Sequence, residues 1–434
     1  LHLLVEKVIK ANQIMHMLNN KKSVWSWALY DWANSAYVTI VMAGFFPVFF
    51  KQYWSAGSEV TASTAQLGLA NSISGLVMGM LAPILGAIAD RGGAKKKFLV
   101  FFTYFGAIMT LGLVWVPQGN WQVAAALYVL SVVGFSGANI FYDSLLPGVA
   151  SKKKIDYVSA LGYALGYLGG GLLFAFTIWL TLQPETFGIG SKESAIKISF
   201  ILVGLWWALF TIPLILFVPE PECDKGKKSQ SPVRDGLRQI YSTFREIRSM
   251  KNIFLFLLAY WFYIDGIDTI IRMAVDYGLS LGFVFTDLML ALLITQFVGF
   301  PCALIYGKLG ERIGPRKAIY GGLGVYLLVV IWAIMMTDKS EFYVLAVAIG
   351  LVQGGVQALS RSFYARLIPQ NKAGEFFGFY NMLGKFAVII GPALLGVVGR
   401  LTHSPRLGIA SITVLFILGG IILYFVTEKT GETA

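Results

Sequence analysis

The sequence predicts an all-α membrane protein: twelve transmembrane helices in two pseudo-symmetric six-helix bundles. Three observations carry this. Only 13% of the 434 residues are charged, 56% are hydrophobic and the mean hydropathy is +0.68, about half the charged share of an ordinary soluble chain. Apolar runs of about 20 residues, enough to cross a ~30 Å hydrocarbon layer, recur from end to end. Short motifs also return in the second half at one spacing from their place in the first. Helices must do the spanning, because backbone groups in lipid need partners within their own segment. The strictly alternating ~10-residue strands of a membrane barrel are not seen.

Taken in order, hydropathy places helices near 25–50, 64–89, 98–116, 121–147, 157–182 and 196–218, then near 252–273, 286–307, 318–336, 342–366, 375–399 and 407–427. The single long polar stretch, 219–251, divides them six and six; its second half, from Val233, has helical spacing and is expected to form a basic surface helix. The expected organisation is an N-terminal segment 1–24, a bundle 25–218, the linker 219–251, a bundle 252–427 and a tail 428–434. Residues 1–16 read as a short amphipathic extension, with Met17 a candidate natural start. Phe46-Pro47 marks either a kink in helix 1 or its end.

Charge orients the spans. "DRGGAKKK", "SKKK", the linker, "ERIGPRK" and "RLIPQNK" fall on one side with the N-terminal segment. They hold roughly two dozen Lys/Arg against about seven opposite, so both termini are expected in the cytoplasm of a protein of the cytoplasmic membrane. The net charge of +12 is thus topological and argues for no nucleic-acid partner. Cys223 and Cys302 fall in a charged loop and an apolar helix, giving no disulfide framework. His2, His16 and His403 all lie outside the apolar runs, so no intramembrane metal site is expected. No Walker loop, HExxH or CxxC occurs, and "GFSGA" fails the nucleophile-elbow spacing; the chain is read as no enzyme, with no cofactor.

The repeat is specific. "FYDSLLP" (141–147) returns as "FYARLIP" (363–369), 222 positions on, and "GAIADRGGAKKK" (86–97) as "GKLGERIGPRK" (307–317), 221 on. Gly162 and Gly169 correspond to Gly384 and Gly391. Two six-helix halves around a midplane cavity are the build of a secondary transporter, with helices 1, 4, 7 and 10 expected to line the cavity. A shift of 234 carries Trp27, Asp31 and Asn34 onto Trp261, Asp265 and Asp268. An acid at hydrocarbon depth costs roughly 3 kcal/mol or more, so its appearance in both halves favours a function.

"GAIADRGGAKKK" resembles the signature between helices 2 and 3 of the major facilitator superfamily. "WALYDWANSAY", "SALGYALGYLGGGL", "QGGVQALSRS" and "EFFGFYNMLGKFAVIIGP" resemble a narrower group within it, the yeast vacuolar amino-acid effluxers linked to autophagy and their bacterial relatives. The similarity runs from Trp25 to about Pro392. It implies the major facilitator fold and, for the yeast members, export of neutral amino acids. Glu311-Arg312 stands where the first loop has Asp90-Arg91, helix 4 lacks an Arg, and Gly169-Gly170 replaces Gly-Pro; these departures point away from proton–drug antiport.

Candidate site residues follow from spacing. Asp31, Asn34 and Tyr37 form one polar stripe, read as substrate or proton binding or as a hydrogen-bonded knot to Asp143 or Ser144. Asp265, Asp268, Arg272 and Asp276 share a face of helix 7, with Asp268 and Arg272 spaced as an i,i+4 pair and Arg272 near an outer gate. Gln353, Gln357 and Arg361 make a stripe on helix 10; Asn381 and Lys385 lie one turn apart on helix 11, where Lys385 is read as a binding group or as paired with one of the acids. Asp90, Arg91, Asp143, Arg272, Glu311 and Arg312 are read as gating residues, the loop motif as an ion-pair latch. Trp25, Trp27 and Trp32 are read as an interfacial belt, and the glycines of "ALGYALGYLGGG" as helix packing.

The expected function is gradient-driven transport of a small polar or zwitterionic solute, an amino acid in the direction of efflux, through protonation of Asp31 or Asp265, by a monomer in the lipid bilayer with a proton or sodium ion as the coupling partner. Lipids or amphiphilic drugs are the alternative cargo on the same fold.

Overall fold

The structure, a computed structural model, describes residues 18–57, 60–92, 94–220 and 232–427, without the side chains at 60–65, 68, 88–92, 232–240, 275–276, 279–280, 285, 387–389, 400 and 405. The expected N-terminal extension, the Asp90-Arg91 latch, Asp276, the first half of the linker and the tail therefore fall outside the described residues or side chains.

Among the described residues, twelve helices are long and apolar enough to cross a membrane. Helix 1 is Lys21–Trp54, helix 2 Val60–Gly92, helix 3 Lys95–Gly112, helix 4 Trp121–Val149, helix 5 Ile155–Leu182 and helix 6 Lys192–Phe217. A connecting helix, Pro232–Ser249, leads to helix 7 (Lys251–Ser280), helix 8 (Phe285–Ile313), helix 9 (Pro315–Met335), helix 10 (Lys339–Leu367) and helix 11 (Ala373–Thr402). Helix 12 comes in two pieces, Pro405–Ser411 and Thr413–Tyr424.

Most helices outrun the apolar windows expected of them, because polar turns beyond the hydrocarbon still wind when an end is capped. Asn20 accepts the Lys22 amide at 2.9 Å ahead of helix 1, and Ser191 accepts that of Ser194 ahead of helix 6. The Glu220 carboxylate receives the Lys95 and Lys96 amides at 2.7 and 3.0 Å, pinning the end of helix 6 to the start of helix 3. Helix 1 does not end at Pro47. It is α-helical only to Ala36, winds as π-helix over Tyr37–Phe45, and does so again over Phe50–Trp54. A proline clashes with the carbonyl one turn back and brings no N–H, and wider turns accommodate both defects.

Each half packs alike. Helix 1 lies on helices 5 and 6 as helix 7 lies on 11 and 12; helix 3 lies on 4 as helix 9 lies on 10. The bundles meet along two matching seams, helix 5 on helix 8 and helix 2 on helix 11. At the second seam Gly86 faces Gly374 so closely that a Cβ on Gly86 would run into the Gly374 backbone. The seams seal the face that carries the connecting helix, called here the linker face. Towards the opposite, far face the bundles diverge around a cavity of about 1740 Å³.

Candidate functional site

The cavity is lined by helices 1, 4, 7 and 10, as expected, and also by residues of helices 5, 8 and 11. Its mouth carries Lys51, Gln52, Tyr53, Lys192 and Lys197; its floor is Asp31, Asp143, Arg361 and Asn381.

Arg361, buried in helix 10 of the second bundle, crosses into the first. Its Nη2 and Nη1 lie 3.3 and 3.4 Å from Asp31 Oδ2 in helix 1, and Nη1 lies 3.3 Å from Asp143 Oδ1 in helix 4. Nε donates to Ser159 Oγ at 2.9 Å and Nη2 to the Ser159 carbonyl at 2.8 Å. All of its donating nitrogens are thus engaged. Tyr142 donates to Asp31 at 2.8 Å, and the Asn381 amide of helix 11 donates to Asp143 at 3.1 Å. The guanidinium carbon also sits 4.9 Å from the Trp27 ring, 5.3 Å from Tyr142 and 4.5 Å from Tyr163, an aromatic cage that favours a desolvated cation. Removing one member of a buried ion pair of this kind costs about 3–5 kcal/mol, because its partner's charge is stranded.

Gly162 lets these atoms meet. A Cβ there would collide with Asp31 Oδ2 and stand 2.9 Å from the Tyr142 hydroxyl and 3.1 Å from Arg361 Nη2. This helix 5 glycine, read from sequence as packing, abuts the charge cluster itself.

Two further tethers thicken the seal. Arg366, at the end of helix 10, pairs with the buried Asp156 that opens helix 5. On the linker face Lys372 grips both carboxylate oxygens of Glu246 in the connecting helix at 2.9 and 2.7 Å, and Thr243 donates to Glu375 of helix 11 at 2.6 Å. Sequence reasoning missed Tyr142, Asp156, Ser159, Arg366, Glu246 and Lys372. The one signal available was the acid–base pairing of loop ends, which names no partners.

Above the floor, Gln353, Gln357, Asp268, Arg272 and Lys385 line the cavity as their spacing predicts. Asn34 lines it too, its amide donating to Asn139 Oδ1 at 2.7 Å. Several placements differ from expectation. Tyr37 is fully buried away from the cavity, its hydroxyl 2.5 Å from Ser131 Oγ and its ring stacked on Trp207. Asp265 is buried against helix 11, accepting the Gly391 amide at 3.0 Å; a Cβ on Gly391 would stand 2.8 Å from Asp265 Oδ1, so the glycine makes the room for the carboxylate. Trp27 is no belt residue: it stacks on Tyr142 at 4.4 Å within the floor. Asp268 and Arg272 make no ion pair within 4 Å among the described residues, nor does Lys385, whose ammonium lies 5.7 Å from the Phe135 ring centroid. Glu311 and Arg312 project from the end of helix 8 into solvent, with no described partner to latch.

A family model described as "Vacuole effluxer Atg22 like" matches residues 56–434. The MFS-type transporter YxiO of Bacillus subtilis is 43% identical over 408 residues, spanning 93% of this chain and 95% of that protein. Autophagy-related protein 22 of Eremothecium gossypii is 24% identical over 449 residues, spanning 89% and 87%. The crystal structure of the human organic anion transporter MFSD10 superimposes with a TM-score of 0.72 at 14% identity, over 93% of this chain and 99% of that one, a likeness that bears on the fold alone.

Proposed function

The chain belongs to the Atg22-like vacuole effluxer family of major facilitator transporters, and from that premise we propose that it exports a small polar or zwitterionic solute, an amino acid, by proton-coupled alternating access. The relatives reported above carry no lipid or drug in their descriptions, so the alternative cargo gains no support. The linker face is assigned to the cytoplasm on the bias of Lys and Arg.

The observation that carries the mechanism is Arg361 joined to Asp31 and Asp143 across the bundle interface. With the cavity open to the far face, protons arriving from outside reach the two acids at its floor. Neutralising them removes the attraction that holds Arg361 and frees the bundles to part on the linker face. A solute entering from the cytoplasm then meets Lys385 and Asp268 with its carboxylate and ammonium, and Gln353 and Gln357 with its remaining polar atoms. Loss of the protons to the cytoplasm restores the Arg361 lock and returns the loaded cavity to the far face. Each cycle exchanges solute for protons. Coupling is assigned to Asp31 with Asp143 rather than to Asp265, whose carboxylate is held by the helix 11 backbone.

Proteoliposomes holding an amino-acid panel, under imposed proton and sodium gradients, test this. Efflux driven by an inward proton gradient is expected, and Asp31→Asn should abolish its dependence on pH. Unchanged rate and pH dependence in Asp31→Asn and Asp143→Asn would remove the coupling assignment.

A further inference from the structure

The two floor acids both hold Arg361; even with their one surplus negative charge counted, the described lining carries six cations against four acids, and the surplus of cations lies above the floor. There, among the described lining side chains, Lys385, Arg272, Lys51, Lys192 and Lys197 face only Asp268 and Glu193. Lys385 and Arg272 share a single acid: Asp268 feels the field of both and pairs within 4 Å with neither. Asp276, whose side chain is not among those described, stands outside this count. A cation without a counterion at membrane depth is expensive, and low-dielectric walls of one sign concentrate the opposite one.

We propose that the cavity selects a solute bearing one more carboxylate than ammonium, an anionic amino acid, with Lys385 as the anchor of one carboxylate and Arg272 of the other. The proposal rests on the transport reading above and names its substrate class. The arithmetic of contacts supports it. Once the solute's ammonium takes Asp268, neither Lys385 nor Arg272 keeps a counterion among the described side chains, so each needs a carboxylate. A neutral amino acid supplies one. A dicarboxylic amino acid supplies both, its backbone lying alongside Phe135, over which the Lys385 ammonium already stands.

The test is counterflow in liposomes holding the full chain, with labelled L-glutamate, succinate, L-leucine and putrescine. Glutamate is expected to exceed leucine at least tenfold in kcat/KM. Lys385→Gln should lower the glutamate-to-leucine ratio at least tenfold, and Lys385→Arg should restore most of it, which a merely structural lysine would not do. Transport of leucine with glutamate and succinate idle overturns this inference and leaves the amino-acid reading standing. Transport of succinate alone keeps the anion preference and overturns the amino-acid reading. Movement of none of the four, by protein in which a cysteine introduced at Ser362, with Cys223 and Cys302 replaced by serine, still reports opening and closing through its labelling from the linker face, overturns both.

Discussion

Ser159 of helix 5 and Asn381 of helix 11 occupy equivalent places in the two bundles, 222 positions apart, and each reaches across to hold a charged residue of the other half. Ser159 takes the Nε of Arg361, and Asn381 donates to Asp143. The duplication thus yields a reciprocal clamp in which the same position serves opposite charges. A hydrogen bond to a charged group contributes about 1.5–3 kcal/mol. Asn381→Ala is therefore expected to raise the population open to the linker face roughly thirtyfold, for a loss of about 2 kcal/mol. A cysteine at buried Ser362, with Cys223 and Cys302 replaced by serine, measures this through its labelling rate from the linker side; an unaltered rate counts against the clamp.

Arg361→Ala should be the most damaging single change at the floor. It strands Asp31 and Asp143 side by side, for a cost of about 3–5 kcal/mol to the state described here. Thermal unfolding in detergent should fall by several degrees, and exchange should cease. Arg361→Ala combined with Asp31→Asn and Asp143→Asn should recover most of the thermal stability while remaining inactive, since the stranded charges are gone but the lock is too.

Gly162→Ala sets two effects against each other. Within a helix the change favours winding by about 1 kcal/mol, yet its methyl would occupy the space of Asp31 Oδ2. Transport is expected to drop at least tenfold with helicity by circular dichroism intact. Wild-type activity would mean the cluster yields more easily than its contacts imply.

Lys372 and Glu246 tie the connecting helix to the loop before helix 11. The pair is half-exposed, and such pairs contribute at most about 1 kcal/mol. Lys372→Glu alone should speed labelling at position 362 by up to fivefold, and the double exchange with Glu246→Lys should bring the rate back. Failure of the double exchange to do so would leave the connecting helix no part in gating.

The twelve spans, their pseudo-symmetry and the stripes of helices 10 and 11 were legible because hydropathy and a spacing of three or four survive any tertiary arrangement; on helix 1 the spacing held for Asp31 and Asn34 but not for Tyr37. Facing was harder to read. Matching the halves set Asp265 in the place of Asp31, yet the packing of helix 7 on helix 11 turns Asp265 to the Gly391 amide and leaves Asp268, less than one turn on, in the cavity. Trp27 looked like an interfacial residue because a helix's first turns usually lie at the membrane surface; an arginine 334 positions later decided otherwise. Ser159, Asp156 and Arg366 sit at helix ends where polar residues are ordinary, and only their partners across the interface distinguish them.

The loosely wound outer stretch of helix 1 has a mechanical consequence. Each π segment holds a residue beyond what an α-helix of the same rise would take, and an α-helix advances about 100° per residue. Drawing one surplus residue into regular winding would swivel everything beyond Ala36 by about that angle. Thr39 and Met42, now facing the chamber, would turn aside and bring a different set of side chains over its mouth. Such a tightening would re-face the outer wall of the chamber while Asp31, in the regular part of the same helix, stayed where it stands.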